Sequence, residues 1–341
     1  MNKNKKILAI NFGGLGDEIL FLPFLNSLKK TEENCSVTLV LEPRSKSVFQ
    51  ISDDIDEIIC VDIKSNKNKY INILKFLFKV WFQHFDMVFS SGASPLVAVL
   101  LFLTGIKKRY GFKTGKFTDK FLTKAIYLNK NQYAGKMYHD LIKGIDENVE
   151  FSLPHLKDFP LEKRVIETDK PIVLIHPGVS QMSIKKNIFK SLDKTKWINL
   201  INKLINTKKY TVVLCGGKDD EKIIGEITKE ISSDENFINY FGKTKNLEDF
   251  IKLVKSSDIL VCTDSAPLHI GVALGGKIVT VFCPTNEKLL VPEKEDIKVI
   301  KRDDLACRPC LWHKRQTSCE EKFCLDIDEN EIFNAIERMV K

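Results

Sequence analysis

At 341 residues the chain is longer than one ordinary domain and, at roughly 150 residues per domain, is expected to form two. Apolar residues at 43% and charged residues at 29% exclude a disordered chain, and 17 glycines and 11 prolines exclude a collagen-like or low-complexity one. The 53 Lys and Arg against 45 Asp and Glu give a net charge of +8, mild and dispersed for a nucleic-acid binder, so no nucleic-acid partner is expected; the charge suits an anionic small molecule or an anionic membrane surface.

Residues 1–6 are basic, but the apolar run at 7–10 is too short for the core of a signal peptide, and the most apolar run, 95–103, reads as a buried helix rather than a span; a cytoplasmic protein is expected. In chain order, a strand at 6–10 ends on Gly13, Gly14 and Gly16, and a helical pattern follows through Leu28. Strands at 37–41, 57–61 and 86–89 come next, with helices at 71–85 and 94–104. Residues 129–170 break the rhythm with prolines and charges, which places the interdomain link near 155–170. The alternation then restarts, with strands at 171–175, 210–214, 237–240, 258–261 and 277–282, helices between them and a final helix near 328–340. Apolar strands separated by helices mean a parallel sheet covered on both faces, so two doubly wound α/β halves are expected, residues 1–160 and 161–341. In such sheets ligands bind beyond the carboxyl ends of the strands.

Four loops there could carry chemistry. Asn11-Phe-Gly-Gly-Leu-Gly-Asp17 lacks the third glycine of a dinucleotide fingerprint and has no P-loop lysine. Asp17 reads either as the helix N-cap of a tight turn or as a carboxylate able to take a proton from a hydroxyl. His176-Pro-Gly-Val-Ser180 could offer backbone donors and Ser180 to a phosphate or ribose. The lysines that follow, at 185, 186, 190, 194 and 196, read as a solvated face or as the source of one lysine that reaches a diphosphate. Cys215-Gly216-Gly-Lys-Asp-Asp220-Glu starts a helix with acids, which the helix dipole favours and which could hold ribose hydroxyls. Thr263-Asp264-Ser265-Ala-Pro-Leu-His269 opens a helix whose free amides make an anion site; Asp264 or Ser265 suits the N-cap. A hydrolase triad is rejected for that loop, because its Ser is not in a Gly-x-Ser-x-Gly elbow.

Nine cysteines exclude a fully paired disulfide framework. Cys35, Cys60, Cys215, Cys262 and Cys283 lie in or beside apolar strands and read as buried thiols. Cys307, Cys310, Cys319 and Cys324 read as a closed zinc site, with a middle gap shorter than in the common zinc spacings, as two local disulfides or as four free thiols, and the cluster is expected to be structural.

These loops, in this order, resemble glycosyltransferase family nine, the lipopolysaccharide heptosyltransferase family. The resemblance is carried by Gly-Leu-Gly-Asp17, His176-Pro-Gly-Val-Ser180, Lys196-Trp197, Leu214-Cys-Gly-Gly217, Asp264-Ser-Ala-Pro-Leu-His269 and Val281-Phe-Cys-Pro-Thr285, with Arg109-Tyr-Gly111 in the first half. The late cysteine cluster also resembles one found in a subset of members. The resemblance implies a GT-B fold, two Rossmann-like domains facing across a cleft. It implies inverting, metal-independent transfer from a nucleotide-sugar, typically ADP-heptose, to a lipopolysaccharide core acceptor, with no cofactor needed for catalysis. Asp17 matches the proposed base. Asp264, Ser265 and His269 match the donor motif, which Ser180, Gly216 and Asp220 would complete. The family lysine two residues before the tryptophan is Thr195 here, so Lys194 or Lys196 is expected to replace it, and an arginine common before the glycine loop is Asn11. An anionic glycolipid acceptor is expected at Gly14 and Gly16 and at the basic run Lys107, Lys108 and Arg109, with peripheral contact at the inner face of the cytoplasmic membrane. A nucleotide-cofactor oxidoreductase and a noncatalytic family member are the competing readings.

Overall fold

The computed structural model describes residues 4–64, 68–311 and 319–340. The chain divides into two compact units, Met1–Lys157 and Asp158–Lys341. Unit 1 holds β1 (Lys5–Ile10), α1 (Leu15–Thr31), β2 (Cys35–Leu41), β3 (Glu57–Cys60), α2 (Lys69–Gln83), β4 (Met87–Ser90), α3 (Pro95–Leu103), β5 (Lys108–Phe112), β6 (Lys124–Ile126) and α4 (Ala134–His139). Unit 2 holds β7 (Ile172–His176), α5 (Gln181–Lys185), α6 (Lys194–Asn206), β8 (Thr211–Leu214), α7 (Glu221–Glu230) and β9 (Phe237–Asn239). It continues with α8 (Leu247–Ser256), β10 (Ile259–Thr263), α9 (Ala266–Ala273), β11 (Ile278–Phe282), α10 (Glu287–Leu290), β12 (Ile297–Lys301) and α11 (Glu329–Met339).

Each unit is built on a six-stranded sheet with all recorded pairings parallel. The orders are β3-β2-β1-β4-β5-β6 and β12-β11-β10-β7-β8-β9. Renumbered within its unit, the second order is the first read backwards, so both are the Rossmann 3-2-1-4-5-6 arrangement. The central strands are continuous apolar runs because helices cover both faces: β7, β10 and β11 are buried along their whole length. In unit 2, Trp197 of α6 is fully buried in a core shared with Val173, Val212, Val261, Val281 and Ile336. Strands β5, β6 and β12, absent from the pattern reading, are short or stand at or next to a sheet edge, and residues such as Lys108, Lys124 and Lys298 break their apolar alternation.

Two details correct the sequence reading. Helix α1 begins at Leu15 with Gly14 as its N-cap residue, so Asp17 lies inside the first turn and is not the cap. Cys60 is exposed and Cys35 half-buried, whereas Cys215, Cys262 and Cys283 are buried. Burial pushes the Cys262 thiol up to about 12 and moves Cys215 and Cys283 upward as well, so these three remain protonated thiols. Among the described residues no helix is long and apolar enough to cross a membrane.

Candidate functional site

The order 3-2-1-4-5-6 reverses direction between its first and fourth strands, which leaves a crevice beyond their carboxyl ends. In unit 1 that point lies between β1 and β4 and receives the loop 11–14 and residues 91–92. The two are joined through side chains, since Ser91 Oγ donates to Asn11 Oδ1 at 2.5 Å. Asn11 in turn donates through Nδ2 to Glu18 Oε2 at 3.1 Å and to the Asp17 carbonyl at 3.2 Å. Glu18 is fully buried, and its other oxygen accepts the Gly13 N–H at 3.4 Å. Burial holds the Glu18 carboxyl well above the usual carboxylate range, against the hydrogen bond from Asn11. The polar chain Ser91–Asn11–Glu18–Gly13 therefore sets the path of the loop from beneath.

On that frame Asp17 is partly exposed, and its Oδ2 accepts the Gly14 N–H at 2.7 Å. This bond satisfies one of the free amides of the helix start and turns the carboxylate back over the loop. Gly13 is required because a Cβ there would overlap the Asp17 side chain. Two cations that the sequence reading did not single out flank the loop. The Arg44 guanidinium comes within 3.4 Å of the place where a Gly14 Cβ would stand, and Lys64 Nζ donates to the Phe12 carbonyl at 3.1 Å.

The basic run Lys107, Lys108 and Arg109 is not brought to this end. In register Lys108 stands beside Met87, and Met87 beside Ile7, at the amino ends of the strands, whereas the glycine loop follows Ile10 at the carboxyl ends. Arg109 is also engaged already, donating to the carbonyls of Phe121 and Ile106 at 2.6 Å each.

In unit 2 the reversal lies between β7 and β10. Thr263 Oγ1 donates to the Gly178 carbonyl at 2.7 Å and ties the loop after β10 to the loop after β7. Asp264 is buried, and its Oδ2 meets Lys190 Nζ at 2.8 Å and the donating Thr285 hydroxyl at 2.6 Å. Burial works to raise the Asp264 carboxyl. The Lys190 ammonium, the Thr285 hydroxyl and the nearby His269 outweigh it and hold the group below the usual carboxylate range. Ser265 is the N-cap residue of α9, as one of the two sequence candidates, with its hydroxyl 3.1 Å from Thr263 Oγ1. Pro267 occupies the first turn, where its missing N–H costs nothing.

The lysine at Asp264 is thus Lys190, not the expected Lys194 or Lys196. Lys196 is held by Asp326 at 3.1 Å and Glu329 at 3.8 Å, and Lys194 is the first residue of α6. Lys190 is delivered by a relay from the core: Trp197 Nε1 donates to Ser191 Oγ at 3.3 Å, and Ser191 donates to the Pro177 carbonyl at 2.6 Å. The tryptophan was a usable signal, but the lysine it positions lies seven residues ahead of it.

Beside this group, Asp220 is buried and its Oδ2 lies 3.5 Å from His176 Nε2 and accepts the Gly217 N–H at 2.9 Å. Gly178 and Gly216 face it, and a Cβ on Gly178 would fall inside its carboxylate. Burial lowers the imidazole and raises the carboxyl, each against the attraction of the other. His176 Nδ1 is buried with no hydrogen-bond partner among the described residues, a polar atom that a ligand group could satisfy. Ser180 is exposed and caps the short helix α5.

Cys307, Cys310, Cys319 and Cys324 are free thiols. Burial raises Cys324 to about 11, with Cys310, Cys319 and Cys307 adding to the rise. Four thiols are donors that suit zinc, but among the described residues no group of three or more His, Cys, Asp or Glu is arranged as a metal site. The segment is strapped to the loop that follows β11. Arg308 donates to the carbonyls of Cys283 and Thr285 at 2.6 and 3.0 Å, and the Cys310 and Leu311 amides donate to the Pro284 carbonyl at 3.0 and 3.1 Å.

Comparison with known proteins agrees with this fold. The family model for glycosyltransferase family 9 (heptosyltransferase) matches residues 73–322, well over half of the chain. A lipooligosaccharide heptosyltransferase 2 of Campylobacter jejuni is 21% identical over 330 residues, covering 95% of this chain and 96% of its own. The solved ADP-heptose lipopolysaccharide heptosyltransferase II of Escherichia coli superposes with a TM-score of 0.73 at 17% identity, covering 98% of both chains. A family 9 glycosyl transferase from Veillonella parvula gives 0.77 at 19% identity, covering 98% of this chain and 97% of that one. With its two Rossmann-ordered sheets of the GT-B fold and the family model matching residues 73–322, the chain belongs to glycosyltransferase family 9, the heptosyltransferase family.

Proposed function

We propose that the protein transfers a heptose from ADP-heptose to a lipopolysaccharide core or related glycan acceptor, with inversion at the anomeric carbon and without a metal in the chemical step. The observation that carries the reading is the Lys190–Asp264–Thr285 group at the start of α9. A lysine beside the free amides of a helix start can stabilise the charge that develops on a departing diphosphate. Asp264 holds that lysine in place, with Ser265, His269, Asp220, Gly216 and Ser180 around the donor. ADP-heptose is the donor written in the name of the E. coli relative. In unit 1, Asp17 is the candidate base that accepts the acceptor hydroxyl's proton as it attacks. Gly14 and Gly16 leave the backbone open beside it, and Arg44 and Lys64 take the anion-binding role expected of Lys107, Lys108 and Arg109. The enzyme acts in the cytoplasm on a membrane-held glycolipid, through peripheral contact with the inner face.

A thermal-shift panel of nucleotide-sugars followed by a transfer assay tests this. ADP-heptose at about 100 times its Kd should stabilise the protein by about 2.7 kcal/mol, more than UDP- or GDP-sugars do. The product should have the opposite anomeric configuration to the donor, with turnover unchanged by chelators. Arg44→Gln should raise the acceptor KM and leave the donor KM alone. A shift with a nicotinamide dinucleotide and none with ADP-heptose would favour the oxidoreductase reading.

We further propose that Cys307, Cys310, Cys319 and Cys324 hold a structural zinc, supported by four free thiols of the right donor chemistry closely spaced along the chain. Elemental analysis should find about one zinc per chain, the stoichiometry of a closed four-thiolate site. Protein free of metal and of unchanged stability would leave the thiols without this role.

A further inference from the structure

Helix α2 reverses the usual logic of a surface helix. Its inner face, Phe76, Leu77 and Val80, is buried against the sheet of unit 1. Its outer face should then be polar. Instead Tyr70, Ile71, Leu74, Phe78, Trp81 and Phe82 stand exposed, Leu74, Phe78 and Phe82 at 63%, 61% and 67%. At about 100° per residue these six fall in one stripe about 120° wide. Lys75 and Lys79 border the stripe, and α2 carries no acidic residue.

The stripe continues onto neighbouring elements. Trp81 Nε1 donates to the Leu103 carbonyl at 2.9 Å, which brings up the exposed end of α3 with Phe102 and Leu103. Phe102 contacts Phe121 at 5.0 Å between ring centroids, and Phe121 contacts the exposed Phe117 at 5.6 Å. Lys107 and Lys108 are exposed at the same end of the sheet, and Lys107 lines, with Asp86, Trp81 and Thr104, the hollow between α2 and the turn after α3.

We infer that this face of unit 1 is a membrane-docking surface that lies in the headgroup region of an anionic bilayer, with α2 as the in-plane amphipathic element. Aromatic and aliphatic side chains bordered by lysines, with tryptophan and tyrosine among them, are the composition of an interfacial helix. The positive rim is complementary to anionic lipid. A second copy of the chain fits poorly, because self-pairing would set Lys75 and Lys79 against their own counterparts with no acid on α2 to meet them. The inference deepens the peripheral-membrane part of the proposed function and rests on it for its biological sense, while its test needs neither donor nor acceptor.

The full chain is sedimented with phosphatidylcholine vesicles and with vesicles containing about 30% phosphatidylglycerol, and its oligomeric state is followed by sedimentation velocity. Wild type should bind the anionic vesicles at least about tenfold more tightly than the neutral ones. Leu74→Ser/Phe78→Ser/Phe82→Ser should lose at least about tenfold in vesicle binding at unchanged melting temperature, and Lys75→Gln/Lys79→Gln should lose about tenfold on anionic vesicles alone. Turnover with a water-soluble acceptor fragment should stay the same in both variants. Failure of wild type to bind anionic vesicles overturns the inference. So does a dimer that the triple variant abolishes while vesicle binding persists. Loss of transfer with intact vesicle binding would instead count against the proposed reaction.

Discussion

Asp17→Asn should keep the fold and donor affinity while lowering kcat by about 10²–10⁴-fold, the usual range for losing general-base assistance. The geometry makes the substitution clean. Asn Oδ1 can still accept the Gly14 N–H that the carboxylate now accepts at 2.7 Å, so the first turn of α1 keeps its hydrogen bond. The frame beneath, Glu18 with Asn11 and Ser91, is untouched. What the amide cannot do is receive a proton from an attacking hydroxyl. Steady-state kinetics with saturating donor and acceptor measure the effect. A kcat within a few-fold of wild type would reduce Asp17 to a structural member of the first turn.

Lys190→Met should be the most destabilising single change in unit 2. It leaves the Asp264 carboxylate buried without its cation, and stranding one partner of a buried pair typically costs about 3–5 kcal/mol. Denaturant unfolding at pH 7 reads that loss, and Lys190→Met/Asp264→Asn should recover most of it by removing the stranded charge. The pH dependence follows from the direction of the shift. In wild type the Asp264 carboxyl lies below its ordinary value despite burial, so its contribution is present above the unfolded pKa of about 3.9 and is lost as pH falls through the lower folded value. In the variant, burial acts without the ammonium and raises the carboxyl, so the deficit should narrow on acidification as Asp264 takes up a proton. A variant as stable as wild type at pH 7 would mean that the pair carries no weight.

The sequence disclosed most of what is local. The glycine loop, the Asp264–His269 turn and the alternation of strands and helices depend on residues near one another in the chain, and each stands where the pattern placed it. Choices that depend on packing were hidden. Any of five lysines could have met Asp264, and the selection of Lys190 depends on Trp197 reaching back through Ser191 to Pro177. Lys107, Lys108 and Arg109 read as an anion site until β5 set them at the amino end of the sheet, and Arg44 and Lys64 had no motif to mark them. The periodicity of α2 was visible, but a helix apolar around most of its circumference does not disclose which side the protein covers.

The strap from Arg308 also bears on the order in which the chain can mature. As the polypeptide leaves the ribosome, β7 to β11 emerge first, and unit 1 can fold before them. The loop that carries Thr285 gains a further anchor when the guanidinium of Arg308 reaches the carbonyls of Cys283 and Thr285 and the carboxylate of Glu287. The core around Trp197 closes later still, when Ile332, Ala335 and Ile336 of α11 pack into it. The Asp264 end of the molecule is therefore completed after translation has passed residue 336. A nascent chain stalled before that point carries a finished glycine loop but an unfinished crevice around Asp264.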